Sequence, residues 1–313
     1  MLIIPNKNIY CRCRHGIMAV TRMRFTGSGN GIHYIDINKA LSLQERKLHR
    51  QKVLNTIYGG YFVDSASESQ NSRCNINVSP ATWPVKRAIN RGFALWRKMI
   101  SRTLKDMEGA GTPSYNDFKV LLNQDMYLNA PLLPKDAGGN NLYNAGAGPE
   151  WDYSTLTSED PDGPGGGAPD QYELHIVGPH TGADPDWNRI GLVQSWVNSR
   201  AIPDSAHPDL PADFTTDPLN NLFDAGDVQD DRLAILANEN DGAPYDEETM
   251  FGNAAGVSIV NNLQRVSTSI TTTTAPVAMV QGFEALCGLV QVDVTATGAW
   301  ELVLDVESKG AKF

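Results

Sequence analysis

Cysteine is scarce in this sequence and poorly spaced for chemistry. Four occur in 313 residues, at positions 11, 13, 74 and 287. Cys11 and Cys13 stand one residue too close for a zinc CxxC knuckle, and neither Cys74 nor Cys287 has a near partner. A disulfide framework and a cysteine-rich metal module are therefore not expected; reduced, inert thiols are. Long apolar runs are missing too. No stretch reaches the roughly 18 uninterrupted apolar residues that a membrane span needs, so no membrane partner is expected. Met1 to Ala19 carries Lys7, Arg12, Arg14 and His15 where a signal peptide needs its apolar segment, which argues against secretion by that route. The common catalytic signatures are absent as well: there is no GxSxG, no HExxH and no GxxxxGK[ST]. Gly27 to Gly31 resembles a phosphate loop only superficially, since it lacks the lysine and precedes a strand. No catalytic residue and no cofactor is assigned, and the chain is not expected to be an enzyme.

What is present is ordinary globular composition, with 41% hydrophobic and 20% charged residues. Its length allows one large β-sandwich or two smaller domains. The net charge of −10 conceals a division along the chain. Residues 1–110 hold 18 Lys/Arg against 6 Asp/Glu, whereas residues 111–313 hold 8 against 30. Two faces with different partners are the functional reading of such asymmetry, and a solvated surface is the plain one. A basic face suits phosphate, because each neutralised phosphate releases counterions.

Alternation of apolar and polar residues predicts strands at Ile32–Asn38, Val53–Asp64, Arg73–Ser79, Asp117–Asn123, Gln171–Val177 and Arg189–Asn198. Further strands are predicted at Gly256–Val260 and Pro276–Val280, then a hairpin of Leu289–Thr295 and Ala299–Val306 turning at Thr297-Gly298. Leu41–Lys52 reads as a polar turn or short helix. One helix is clear, over 85–107: Ile89, Phe93, Trp96, Ile100, Leu104 and Met107 form an apolar stripe, with Lys86, Arg87, Arg91, Lys98, Arg102 and Lys105 largely off it. A short helix is predicted over Val228–Ala237. Pro131 to Asp170 is too rich in turn formers for a regular element. Many short strands without βα alternation predict a mainly all-β protein, an antiparallel sandwich or jelly roll with one inserted amphipathic helix. The chain divides into a basic N-terminal extension over 1–30, disordered or internal, and a jelly-roll domain over 31–313 with long loops at 124–170 and 199–255.

Three clusters are candidates for binding. Arg12, Arg14, Arg22, Arg24, Arg46, Lys47, Arg50 and Lys52, with Arg87 and Arg91 on the helix, suit sequence-independent contact with a phosphate backbone, since few aromatics accompany them. His175, His180, Asp184 and Asp186 could ligate a metal if brought together, against the plainer reading of a structural histidine and a polar turn. Asp224, Asp227, Asp230 and Asp231 offer oxygen ligands for a divalent cation at a subunit contact, although their spacing is not that of an EF-hand. No metal site is assigned.

Several collinear stretches, namely IHYIDINKALSLQERKLHRQ at 32–51, ATWPVKRAINRGFALWRKMI at 81–100, SYNDFKVLL at 114–122, HIVGPH at 175–180 and WNRIGLVQSW at 187–196, resemble capsid proteins of small circular, Rep-encoding single-stranded DNA (CRESS-DNA) viruses. DPLNNLFDAGDVQDD at 217–231, DGAPYDEETMFG at 241–252, and GLVQVDV through LVLDVESKG at the C-terminus continue the resemblance. It implies a single jelly roll that self-assembles into an icosahedral virion shell, with further copies of itself, a single-stranded DNA genome and a host receptor as partners. The chain departs from circovirus-like members in lacking a dense Arg-rich N-terminal arm. The alternatives are a carbohydrate- or calcium-binding β-sandwich module and, behind it, a metal-dependent enzyme.

Overall fold

The computed structural model describes residues 20–64, 71–106, 114–143, 150–158, 170–182, 187–199, 263–307 and 311–313. Two antiparallel sheets form its centre. The first joins β1 (Val20–Ser28), β13 (Ala299–Glu307), β3 (Leu54–Asp64) and β10 (Val277–Val280) in that order, with β11 (Phe283–Leu286) also paired to β3. The second joins β2 (Gly31–Asp36), β12 (Leu289–Thr295), β4 (Ser72–Val78) and β9 (Gln264–Thr271). The protein is therefore an antiparallel, all-β sandwich in its main part. The alternating apolar residues do the work predicted for them: Met23, Phe25, Phe62, Leu302 and Leu304 of the first sheet meet Ile35, Ile76, Val290 and Val292 of the second in one buried cluster.

β1 enlarges the predicted jelly-roll domain. Residues 20–28, placed by sequence in the N-terminal extension, pair residue for residue with β13 from Val20↔Glu307 to Ser28↔Ala299. Their every-other-residue burial at Met23 and Phe25 is interrupted by Arg22 and Arg24, and that basic content masks the strand. The predicted C-terminal hairpin is corrected. β12 pairs with β2 and β4, whereas β13 pairs with β1 and β3. Thr297-Gly298 therefore turns a corner between the sheets. The neighbouring corner at Gly29-Asn30 is stitched to it, with Gly29 N–H donating to the Gly298 carbonyl (2.9 Å) and Ala296 N–H to Asn30 Oδ1 (2.7 Å).

β3 carries one distortion. Its ladder with β13 shifts between Asp305 and Val306, passing over Tyr58, beside Gly59 at φ 145°. A β carbon on the next residue, Gly60, would run into the Val303 carbonyl. Glycine is required there because two strands approach closely.

The described residues between β4 and β9 form an insertion that packs against the outer face of the second sheet around β2 and β12. It contains α2 (Trp83–Asp106), α3 (Asp125–Leu128), a small sheet of β5 (Thr155–Ser158), β6 (Asp170–His175), β8 (Trp187–Gly191) and β7 (Thr181–Gly182), and α4 (Leu192–Asn198). α1 (Ile37–Glu45) links β2 to β3. A second core joins Val85, Ile89, Phe118, Leu122, Leu174 and Val193 of the insertion to Tyr34 and Leu289 of the sheet. The second sheet is thus covered on both faces around β2 and β12, while the outward residues of β9 stay exposed.

Two strand predictions change. Arg189–Asn198 divides into β8 and α4, because Leu192, Val193 and Trp196 lie on one helical face and are buried together. Asp117–Asn123 is extended chain whose sheet contact is a single bridge, Leu121↔His175. The predicted loop at 124–170 holds α3 and β5 in its described parts. The predicted helix at Val228–Ala237, the strand at Gly256–Val260 and the 199–255 loop beyond Ser199 lie outside the described residues.

Candidate nucleic-acid interface

α2 is the element on which unanswered positive charge collects. Pro84 sits in its first turn, where a missing N–H costs nothing. Val85, Ala88 and Ile89 are buried, and Phe93 and Trp96 pack against Phe118 at centroid distances of 5.7 and 5.9 Å. Trp83 meets Trp196 of α4 edge-on at 5.2 Å. At about 100° per residue, Arg87, Arg91, Lys98, Arg102 and Lys105 fall within a stripe about 60° wide, opposite this apolar face. All five are exposed. Among the described residues none of them has a carboxylate within ion-pair distance. The stripe runs about 27 Å at 1.5 Å per residue.

The other predicted basic residues are distributed differently. Arg22 makes a two-pronged contact with Asp305 (2.7 and 2.8 Å), and Arg24 pairs with Glu301 (2.7 Å), so both charges on the outer face of the first sheet are answered across the β1–β13 ladder. Arg46 ends α1 in a left-handed conformation (φ 55°) and is exposed. Lys47 is ion-paired with Glu45, which also holds His49. Arg50 is exposed, and Lys52 lies over the Phe93 ring at 4.3 Å, beneath α2. Arg12 and Arg14 lie outside the described residues. The structure thus gathers Lys52, Arg87 and Arg91 about one helix and leaves Arg22 and Arg24 on another face.

No protein-family model, curated protein or solved structure matches this chain. What it can bind has to be read from its own geometry.

The histidine cluster does not assemble as a ligand set. His175 is fully buried, and neither ring nitrogen has a hydrogen-bond partner among the described residues. Burial, with His180 and Arg189 nearby, pushes its pKa down to about 3. His180 instead accepts the Gly191 N–H at Nδ1 (3.2 Å). Asp184, Asp186 and the Asp224–Asp231 group lie outside the described residues, and among those described no three His, Cys, Asp or Glu side chains are placed to hold a metal. Cys74 and Cys287 are buried free thiols, the first pushed up to about 12 by desolvation; Cys11 and Cys13 are not among the described residues. No described helix is long and apolar enough to cross a membrane.

One polar centre escapes sequence reasoning. Asp36 caps α1 by accepting the Lys39 N–H (3.0 Å) and is 1% exposed. Its other oxygen accepts from Gln51 Nε2 (3.1 Å) and Trp151 Nε1 (3.0 Å), and Gln51 Nε2 also donates to the Val120 carbonyl (3.0 Å). Desolvation nonetheless raises the Asp36 pKa to about 6. The network ties α1 and the end of β2 to the insertion. The sequence marks the cap, an Asp ahead of a helical run, but nothing in the polar LHRQK segment marks Gln51 as buried.

Proposed function

We propose that this chain is the subunit of a self-assembling icosahedral shell that encloses single-stranded DNA, and that its sandwich is a single jelly roll. The observation that carries the reading is strand order. Following the chain, β1, β3, β10 and β13 fall in one sheet and β2, β4, β9 and β12 in the other, in the orders β1-β13-β3-β10 and β2-β12-β4-β9. Two interlocked Greek keys produce this order. The collinear resemblance to CRESS-DNA capsid proteins agrees with it. α2 supplies the DNA contact in this reading: the five exposed cations of its stripe neutralise phosphates without reading bases. The virion is the corresponding location, and a host receptor a further partner.

Negative-stain electron microscopy of the purified protein tests the assembly. Closed particles of uniform diameter containing nuclease-protected DNA are the expected result. A protein that stays monomeric across salt and pH, with no particles, overturns the proposal.

A further inference from the structure

A second basic feature lies beside α1, unrelated to the helix stripe. A pocket of about 280 Å³ opens between α1, Tyr115, Lys119, Tyr143, Glu150 and Trp151. Among the described residues four cations line it, Lys39, Arg46, Lys47 and Lys119, against one carboxylate, Glu150. Lys47 is engaged by Glu45, and Lys39 feels the field of Asp36 and Asp152. Lys119 differs from both. It is only 7% exposed, yet among the described residues no carboxylate lies within ion-pair distance of it. Its ammonium sits 4.7 Å from the centroid of the Trp151 ring, which covers one side. Asp117 is near enough to feel the Lys119 charge but lies beyond ion-pair distance, so an anion entering from the pocket can still pair with the ammonium at close range.

The remaining walls are aromatic. Trp151 and Tyr143 line the pocket, and Tyr115 stands at its mouth with 73% of its surface exposed. An exposed ring beside clustered cations is costly to present to water and suited to stacking. Cations and flat rings in a cavity of this size match a phosphate joined to a planar base.

We propose that this pocket binds a nucleotide, its phosphate on Lys119 and Arg46 and its base against Tyr115. That the nucleotide comes from an enclosed single strand rests on the shell reading; the pocket's chemistry does not.

The test uses the full-length protein and fluorescence polarisation of a labelled dT10 oligonucleotide, with unlabelled 5′-dTMP and inorganic phosphate as competitors. Lys119→Met keeps the side chain's length over Trp151, and Tyr115→Ala removes an exposed ring that carries no core contact. Each is expected to weaken dT10 binding about tenfold, with an unchanged melting temperature for Tyr115→Ala. Competition by dTMP at concentrations where phosphate fails is also expected. Much tighter binding of dT10 than of dTMP assigns the strand as the source, and equal binding assigns free nucleotide. The pocket is wrong if both variants bind within twofold of the parent, or if phosphate competes as well as dTMP. Closed particles from a protein that binds neither probe would remove the pocket and keep the shell, whereas dTMP binding without particles would do the reverse.

Discussion

Two buried groups set opposite pH responses. His175 is neutral in the fold, with a pKa near 3 against about 6.5 when unfolded. The unfolded chain therefore takes up the extra proton below pH 6.5, and stability falls as the pH drops from there toward 3. At pH 5 the loss from this residue is about 2 kcal/mol. Asp36 works the other way. Its pKa of about 6 lies above the unfolded value of 3.8, so the cost of its buried charge is present above pH 6 and is relieved as the pH falls toward 4. Between pH 7 and 5 that relief is about 1 kcal/mol. Urea unfolding at the two pH values separates them. His175→Leu is expected to lose less stability on acidification than the parent, and Asp36→Asn to lose it more steeply. Equal slopes in all three proteins would remove both assignments. Neither environment was legible from the sequence. His175 falls in the alternating run QYELHIV, which locates a strand without revealing that the insertion buries both faces, and Asp36 depends on Gln51 and Trp151, which are 15 and 115 residues away.

Elements were legible where one periodicity dominated. β3, β4, β12 and α2 agree with their sequence patterns to within about two residues. The patterns failed where the partner decided the outcome. LVQSWVN reads as a strand in sequence, but Leu192, Val193 and Trp196 are buried as a helix against α2. Thr297-Gly298 is good hairpin chemistry, yet the strands on either side of it find better partners in opposite sheets. β9 (QRVSTSIT) was missed because its buried positions are largely Ser and Thr, with Ser267, Ser269 and Thr271 all buried. The α2 stripe is the part of the candidate interface that sequence placed well. Charge reversal of two of its residues, Arg87→Glu with Arg91→Glu, is expected to weaken dT10 binding at least about tenfold and to flatten its salt dependence by about two counterions. Both side chains are exposed and, among the described residues, have no ion-pair partner, so the melting temperature should hold within about 2 °C. Unchanged binding and salt slope would mean that DNA does not lie along this helix.

At the scale of the whole molecule, an open sandwich has edges to manage. β10 closes one side of the first sheet and β9 the corresponding side of the second, and Ser269 Oγ donates to the Met279 carbonyl (2.9 Å) to hold the two edges together. That side of the molecule carries unusual apolar exposure: Met279 is 76% exposed, Val277 53% and Ile270 50%. An exposed apolar edge of this kind invites association with another chain, which monomeric proteins avoid with charge or proline. In a shell subunit it belongs at a contact between copies. Met279→Glu with Val277→Lys places opposite charges on that edge without touching the core, since both side chains already face water. The substituted protein is expected to remain folded, with the parent's circular dichroism and thermal midpoint, and, on the proposed shell reading, to sediment as a monomer under conditions where the parent assembles. Particles of normal diameter from this double variant would show that the edge lies outside every subunit contact, and the neighbouring copies would then have to meet through the insertion or the loops.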